Sequence, residues 1–382
     1  MLVSRDINLL HLLASKSHFL FGARLTGKST LVDQQLAGTA KIIDLLNPEI
    51  FLRASTAPTW FERVIRHSGK QIVVVDEIQR LPELLNSVQR LITSHGIRFL
   101  LTGSSVRKLR RGGANFLGGR ARTAHLFPLT SSEIPKFNLT RYLHFGGLPS
   151  VYLSQNPSGE LADYVFSYMR DEVQAEGLVR NLPPFTRFLQ TMALANGELL
   201  NFTNMANDCH VAVKSVRSYV QILEDTMFGA LLLPWRASQR RKAIATAKFY
   251  FFDTGVARVL SGIKKIERHS NLYGKSFEHF IWMELRAYLS YRSKQLTELT
   301  FWRSRQGHEV DFLVGEELAI EVKASSSVSP RDLKGLRMLA DEGIFKKFYL
   351  VSQDRNAQKH GIFTLVHWQS FLTELWSDKL LS

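Results

Sequence analysis

Nine residues constrain this chain more than any other feature: Gly22, Ala23, Arg24, Leu25, Thr26, Gly27, Lys28, Ser29 and Thr30. They follow directly on the apolar run His18 to Phe21, and a helical stretch from Ser29 to Leu36 continues from them. The spacing satisfies G-x-x-x-x-G-K-[ST] in the strand, turn and helix context the pattern needs. Gly22 and Gly27 let backbone amides turn inward on phosphates. Lys28 sets a point charge against the β and γ phosphates, and Ser29 offers a hydroxyl to Mg²⁺. The expected ligand is therefore ATP with Mg²⁺, held where a buried parallel strand meets a helix N-terminus.

The runs His18 to Phe21, Lys41 to Asp44, Gln71 to Val75 and Arg98 to Thr102 are short and continuous, as strands buried on both faces require. Between Gln79 and Thr93, Leu81, Leu84, Leu85, Val88, Leu91 and Ile92 recur at helical spacing, which predicts a helix returning to the sheet. An α/β fold with a parallel sheet covered by helices follows. Ile72 to Val75 lead to Asp76 and Glu77 at a strand's carboxyl end, the edge where such sheets bind ligands. Asp76 then holds the hydrated Mg²⁺, and Glu77 orients and polarises the attacking water. The alternative is a helix-capping acidic pair. Thr102 and Ser104 end another strand and make a polar sensor for the γ phosphate. Arg120, after Gly119, is a candidate finger supplied by a neighbouring subunit of a homo-oligomer, the alternative for Arg120 or Arg122 being a phosphate or solvent contact elsewhere.

These residues carry a resemblance. Gly22 to Ser29, the run from Asp76 and Glu77 through Pro82, Thr102 to Ser105, and Gly119 and Arg120 with Pro128 and Leu129 resemble the large prokaryotic family of AAA-type ATPases that bear a carboxyl-terminal domain of unknown function. The resemblance extends over nearly the whole chain and implies ATP binding and hydrolysis.

Charge and cysteine content narrow the partners. Of 382 residues, 49 are Lys or Arg against 34 acidic, a net charge of +15 that suits a polyanion such as nucleic acid or an acidic membrane surface, or merely a basic soluble protein. Cys209 is the only cysteine, so no intrachain disulfide or Cys-His zinc cluster can form, and a reducing cytoplasm is expected. Met1 to Leu13 lacks a signal-peptide core, and no stretch has the apolar length of a membrane span.

After Pro135 the pattern turns helical to about Asn196, with Tyr142, Phe145, Tyr152, Tyr164, Phe166 and Tyr168 among its residues. Phe202 to Asp208 and Val213 to Asp225 then read as two short helices around a tight connection, followed by a hairpin. This resembles a winged helix, although His210 stands where glycine commonly makes the turn. Lys214 and Arg217 on the second helix, with Arg240, Arg241 and Lys242 on the hairpin, are candidate DNA contacts. A packing module is the alternative. Asp253, after Phe249 to Phe252, reads as a helix cap.

Glu309 to Val314 and Leu318 to Lys323 alternate polar and apolar residues, so that a hairpin sets Phe312 opposite Ile320 and gathers Asp311, Glu321 and Lys323 on one face. That pattern resembles the restriction-endonuclease-like superfamily. The resemblance implies that Asp311 and Glu321 bind Mg²⁺, that Lys323 helps activate water, and that Glu278, on the helix beginning near Gly274, completes the metal shell. A solvated hairpin face, or a nuclease fold without nuclease activity, remains open. The expected domains are an AAA-type P-loop ATPase at 1–138, a helical lid at 139–196, a winged helix at 197–260 and a nuclease-like α/β domain at 261–382. Three functions compete: an ATPase acting on DNA with Mg²⁺-dependent cleavage, a regulatory ATPase switch or scaffold that binds without cleaving, and a small-molecule kinase, which leaves the carboxyl-terminal half unexplained.

Overall fold

A computed structural model describes residues 2–105, 109, 117–174, 179, 181–236, 244–292, 294 and 297–381. The chain divides into two compact units, Met1–Phe127 with Asp225–Phe228, and Pro128–Glu224 with Gly229–Ser382. Among the described residues no helix is long and apolar enough to cross a membrane.

In the first unit α1 (Leu9–Ser15) leads into β1 (Ser17–Phe21), α2 (Lys28–Leu36), β2 (Lys41–Asp44), α3 (Pro48–Thr56), α4 (Pro58–His67), β3 (Ile72–Asp76), α5 (Leu84–His95), β4 (Arg98–Gly103) and β5 (Ala121–His125). The strands lie in the order β2-β3-β4-β1-β5, and every pairing is parallel. Val73, Val74 and Val75 on β3 and Phe99, Leu100 and Leu101 on β4 are fully buried, as strands covered on both faces must be. Leu84, Leu85, Val88 and Leu91 of α5 pack with Phe61 and Ile65 of α4 on one side of that sheet. The helix expected over 79–93 starts only at Leu84. Pro82 disfavours a helical Leu81, which takes φ −142° and ψ 70°, and a 3₁₀ turn at Ile78–Arg80 fills the gap. Because all strands run one way, Gly22, Asp76 and Thr102 arrive at the same sheet edge.

The second unit opens with helices α6 (Leu139–Phe145), α7 (Pro149–Tyr152), α8 (Pro157–Ser167), α9 (Leu182–Leu194), α10 (Phe202–Cys209) and α11 (Val213–Asp225). Strands β6 (Gly229–Pro234) and β7 (Lys248–Phe251) follow, then α12 (Thr254–Leu260), α13 (Asn271–Tyr291), β8 (Leu299–Arg303), β9 (Glu309–Val314) and β10 (Leu318–Lys323). The unit closes with α14 (Lys334–Ala340), β11 (Lys347–Ser352), β12 (Gln358–His360), β13 (Phe363–His367) and α15 (Trp368–Trp376). Its described strands form one sheet in the order β12-β13-β11-β10-β9-β8-β6-β7. Phe312 pairs with Ile320, the register that the alternation predicts. Less expected is the fate of the β6–β7 hairpin, which continues the same sheet through Leu233 opposite Thr300 and Pro234 opposite Phe301. Trp302, Val310, Leu313, Ala319, Leu336 and Leu350 form the core under that sheet.

Local signals hold the helical part. His210 does make the turn between α10 and α11, in the left-handed region at φ 54°. Asp253 caps α12, accepting hydrogen bonds from Val256 N at 3.1 Å and Gly147 N at 2.7 Å while fully buried. Burial lifts its carboxyl to about 6 against those amide donors. Asp253→Ala leaves two buried amides without an acceptor, and we expect a loss of about 2–4 kcal/mol, read as a lower urea midpoint at unchanged slope.

Candidate functional site

The loop after β1 is held from behind. Gly22 accepts no side chain, because a Cβ there would stand 2.5 Å from Leu126 O. Thr26 Oγ1 donates to Ala23 O at 2.8 Å, and Leu25 takes a left-handed φ of 59°. Arg5 donates to Thr26 O at 2.8 Å and Phe127 O at 2.7 Å, clamping the loop to the strand end beside it. No sequence pattern marks Arg5, which lies well upstream of the motif.

At the mouth of this loop Gly27 leads into α2, and no side chain caps the helix. An uncapped first turn with its positive dipole end is an anion site. Lys28 is buried and bends its ammonium into the loop, donating to Gly22 O at 2.7 Å and Ala23 O at 3.1 Å. Ser29 Oγ donates to Asp76 Oδ2 at 2.9 Å. Arg24, Leu25, Ser29 and Thr30 keep solvent exposure.

Between β1 and β3 runs β4, so Thr102 stands where it can link the two motifs. Its hydroxyl donates to Asp76 Oδ1 and accepts from Glu77 N at 3.1 Å. Glu77 takes the left-handed region, φ 59° and ψ 46°, an uncommon geometry that turns its side chain off the strand direction. Burial pushes its carboxyl above the usual glutamate range, against the pull of the Lys28 ammonium. Gln79, which the pattern does not single out, donates through Nε2 to Glu77 Oε2 and to Ser104 Oγ, the latter at 3.3 Å. Its Oε1 is buried without a partner, and a Cβ on Gly103 would come within 2.5 Å of it. The donor set fits ATP with Mg²⁺: an uncapped helix start, a lysine inside the loop, and hydroxyl and carboxylate oxygens already in contact.

Arg120 lies elsewhere. Ser17 pairs with Ala121 and Phe21 with His125, so Arg120 precedes β5 at the amino edge of the sheet, whereas the loop leaves β1 at the carboxyl edge. Five strand residues, roughly 16 Å, separate the two ends. In its own chain the exposed Arg120 sits away from the phosphate loop, and so does Arg122.

The carboxyl-terminal residues Glu278, Asp311, Glu321 and Lys323 come together on α13, β9 and β10. Val322 N donates to Asp311 Oδ2 at 2.7 Å, and Lys323 Nζ reaches Glu321 Oε1 at 2.6 Å. Burial, with neighbouring carboxylates, drives Asp311 well above the aspartate range and Glu321 to about 7. Lys248 on β7, unmarked by any motif, enters the same cluster. It is buried and bonds Glu278 Oε1 at 3.1 Å and Glu309 Oε1 at 2.6 Å, while Tyr250 donates its hydroxyl to Glu278. Among the described residues no group of three or more His, Cys, Asp and Glu is arranged to hold a metal ion. The set implied for Mg²⁺ does not fit it, because Glu278 is committed to Lys248 and Tyr250.

On α11, Lys214 and Arg217 are exposed, and the Arg217 guanidinium lies 4.8 Å from the centroid of the Phe202 ring. Arg240, Arg241 and Lys242 lie outside the described residues.

Comparison with known proteins divides the chain in three. Residues 14–135 match an AAA domain, residues 136–267 a domain of unknown function (DUF8612), and residues 273–371 another domain of unknown function (DUF4143). The uncharacterized protein Rv2008c of Mycobacterium tuberculosis is 27% identical over 326 residues, covering 81% of this chain and 70% of that protein. The uncharacterized protein MJ1544 of Methanocaldococcus jannaschii is 24% identical over 266 residues, 63% of this chain and 57% of that protein. The stretch that holds the phosphate loop, Asp76 and Glu77 is thus the stretch that matches an AAA domain.

Proposed function

We propose that this chain binds ATP with Mg²⁺ at Gly22 to Thr30, hydrolyses it, and couples turnover to the binding or remodelling of DNA in the cytoplasm. The observation that carries the reading is the 2.9 Å hydrogen bond from Ser29 Oγ to Asp76 Oδ2 beside an uncapped helix start. Ser29 and Asp76 would hold Mg²⁺, which would supply neutralisation of the phosphate charge. Lys28 exchanges its loop carbonyls for those phosphates. Glu77 accepts the proton of the attacking water, with Gln79 and Thr102 fixing its direction. Thr102 and Ser104 read the γ phosphate. Arg120 serves a neighbour's site in a homo-oligomer, a reading its position at the opposite sheet edge favours.

In the same reading 139–196 is a helical lid, 197–260 a winged helix contacting DNA through Lys214, Arg217 and the 240–242 segment, and 261–382 a nuclease-like domain. The pairing of Lys248 with Glu278 and Glu309 favours the second reading, a regulatory ATPase whose carboxyl-terminal domain binds nucleic acid or protein without cutting.

Lys28→Ala should weaken ATP binding on the order of 10- to 100-fold, from the loss of charge-assisted bonds of about 1.5–3 kcal/mol. Glu77→Gln should keep ATP affinity and lose roughly 10²- to 10⁴-fold in kcat. Parent-like turnover in Glu77→Gln removes Glu77 from this role. The base works as the carboxylate, so kcat is full above the Glu77 pKa and falls as pH drops through it. The raised value puts that acidic limb above the usual glutamate range. A pH profile in which it tracks an ordinary exposed glutamate contradicts the assignment.

DNA coupling has its own readout. Duplex DNA should stimulate turnover, and Lys214→Ala or Arg217→Ala should shrink the slope of log affinity against log salt by roughly 0.9 for each phosphate that is no longer neutralised. Unaltered slopes, measured by fluorescence anisotropy, would take α11 out of the interface.

A further inference from the structure

Four carboxylates meet in the second unit: Glu278 on α13, Glu309 and Asp311 on β9, and Glu321 on β10. They face two lysines from different strands and one arginine. Lys248 Nζ lies 2.6 Å from Glu309 and 3.1 Å from Glu278, Lys323 Nζ lies 2.6 Å from Glu321, and Arg303 lies 3.1 Å from Glu309. We propose that the Lys248 ammonium is the resident cation of this cluster, standing where a divalent ion would bridge Glu278 to its neighbours, and that the cluster takes no divalent metal while Lys248 is in place.

Lys248 is only 4% exposed, and its ammonium also lies 5.3 Å from the centroid of the Phe301 ring, so it is packed into one position and is not a surface lysine swinging past acids. A buried ammonium needs carboxylate partners, and a buried carboxylate needs a cation or donors. Each requirement meets the other here, and Tyr250 supplies a further donor to Glu278. A divalent ion would have to sit beside two ammonium groups and strip Glu278 from both its partners. What stays open is small: Glu321 Oε2 is buried without a partner, and it marks where an ion would enter once Lys248 is gone.

The test is Mn²⁺ titration of the full-length, nucleotide-free protein, counting free ion by electron paramagnetic resonance. The parent should hold no Mn²⁺ in this cluster tighter than about 1 mM. Lys248→Met should gain one ion per chain, bound at least roughly tenfold tighter, and lose it again when Asp311→Asn is added. Comparison with Asp311→Asn in the parent background separates this cluster from any ion held at Asp76. One ion bound tightly by the parent and lost in Asp311→Asn alone overturns the proposal. So does a folded Lys248→Met that gains nothing. Should Lys248→Met fail to fold, the parent and its Asp311→Asn variant still decide: no difference between them upholds the resident-lysine assignment, and a lost ion defeats it.

Discussion

One hydrogen-bonded link orders the first unit: Ser29 to Asp76, and Asp76 to Thr102. It ties the start of α2 to the ends of β3 and β4, so three segments far apart in sequence meet within the length of one carboxylate. A parallel sheet makes this cheap. All strands finish at one edge, and the strand between the two motifs needs only a hydroxyl at its end to bridge them. Around the link everything else is support: Gly22 pressed on Leu126 O, Arg5 behind Thr26, and a valine run that buries β3 beneath its acidic end.

Much of this unit is legible in the sequence because its signals are local. Four of its five strands follow from runs of apolar residues, and the phosphate loop from eight consecutive positions; β5, Ala121–His125, has no such run. Pro82 moves the start of α5 because a proline acts on the residue before it, a steric rule that overrides the helical spacing competing with it. Gln79 is inconspicuous for a different reason. Nothing in its spacing separates it from an ordinary turn residue, and only the backbone geometry at Glu77 brings its amide onto the carboxylate.

In the second unit the limit is range. The alternation in β9 and β10 fixes their register because a three-residue loop joins them. The pairing of β6 with β8 joins residues more than sixty positions apart, and no periodicity announces it. Lys248 is hidden by the same effect. Beside Phe249, Tyr250 and Phe251 it reads as the polar start of an aromatic strand, yet β7 carries it inward to Glu278 and Glu309. A lone lysine in an apolar strand is a hint of a buried counter-charge, but the sequence does not say which carboxylates it meets.

The two acidic groups of this protein are satisfied by opposite means, and that contrast separates what each can do. Asp76 and Glu77 are held by neutral donors, the hydroxyls of Ser29 and Thr102, the Glu77 amide on Thr102 and the amide of Gln79. Such partners fix direction and leave the negative charge in place for an incoming cation. Glu278, Glu309 and Glu321 are instead held by ammonium and guanidinium groups of the same chain, which cancel the charge as they fix it. Hydrogen-bond satisfaction is similar in the two places; the charge of the donors is not. A carboxylate already neutralised has little left to offer a metal ion, whereas one oriented by hydroxyls gains its missing charge only when the ion arrives.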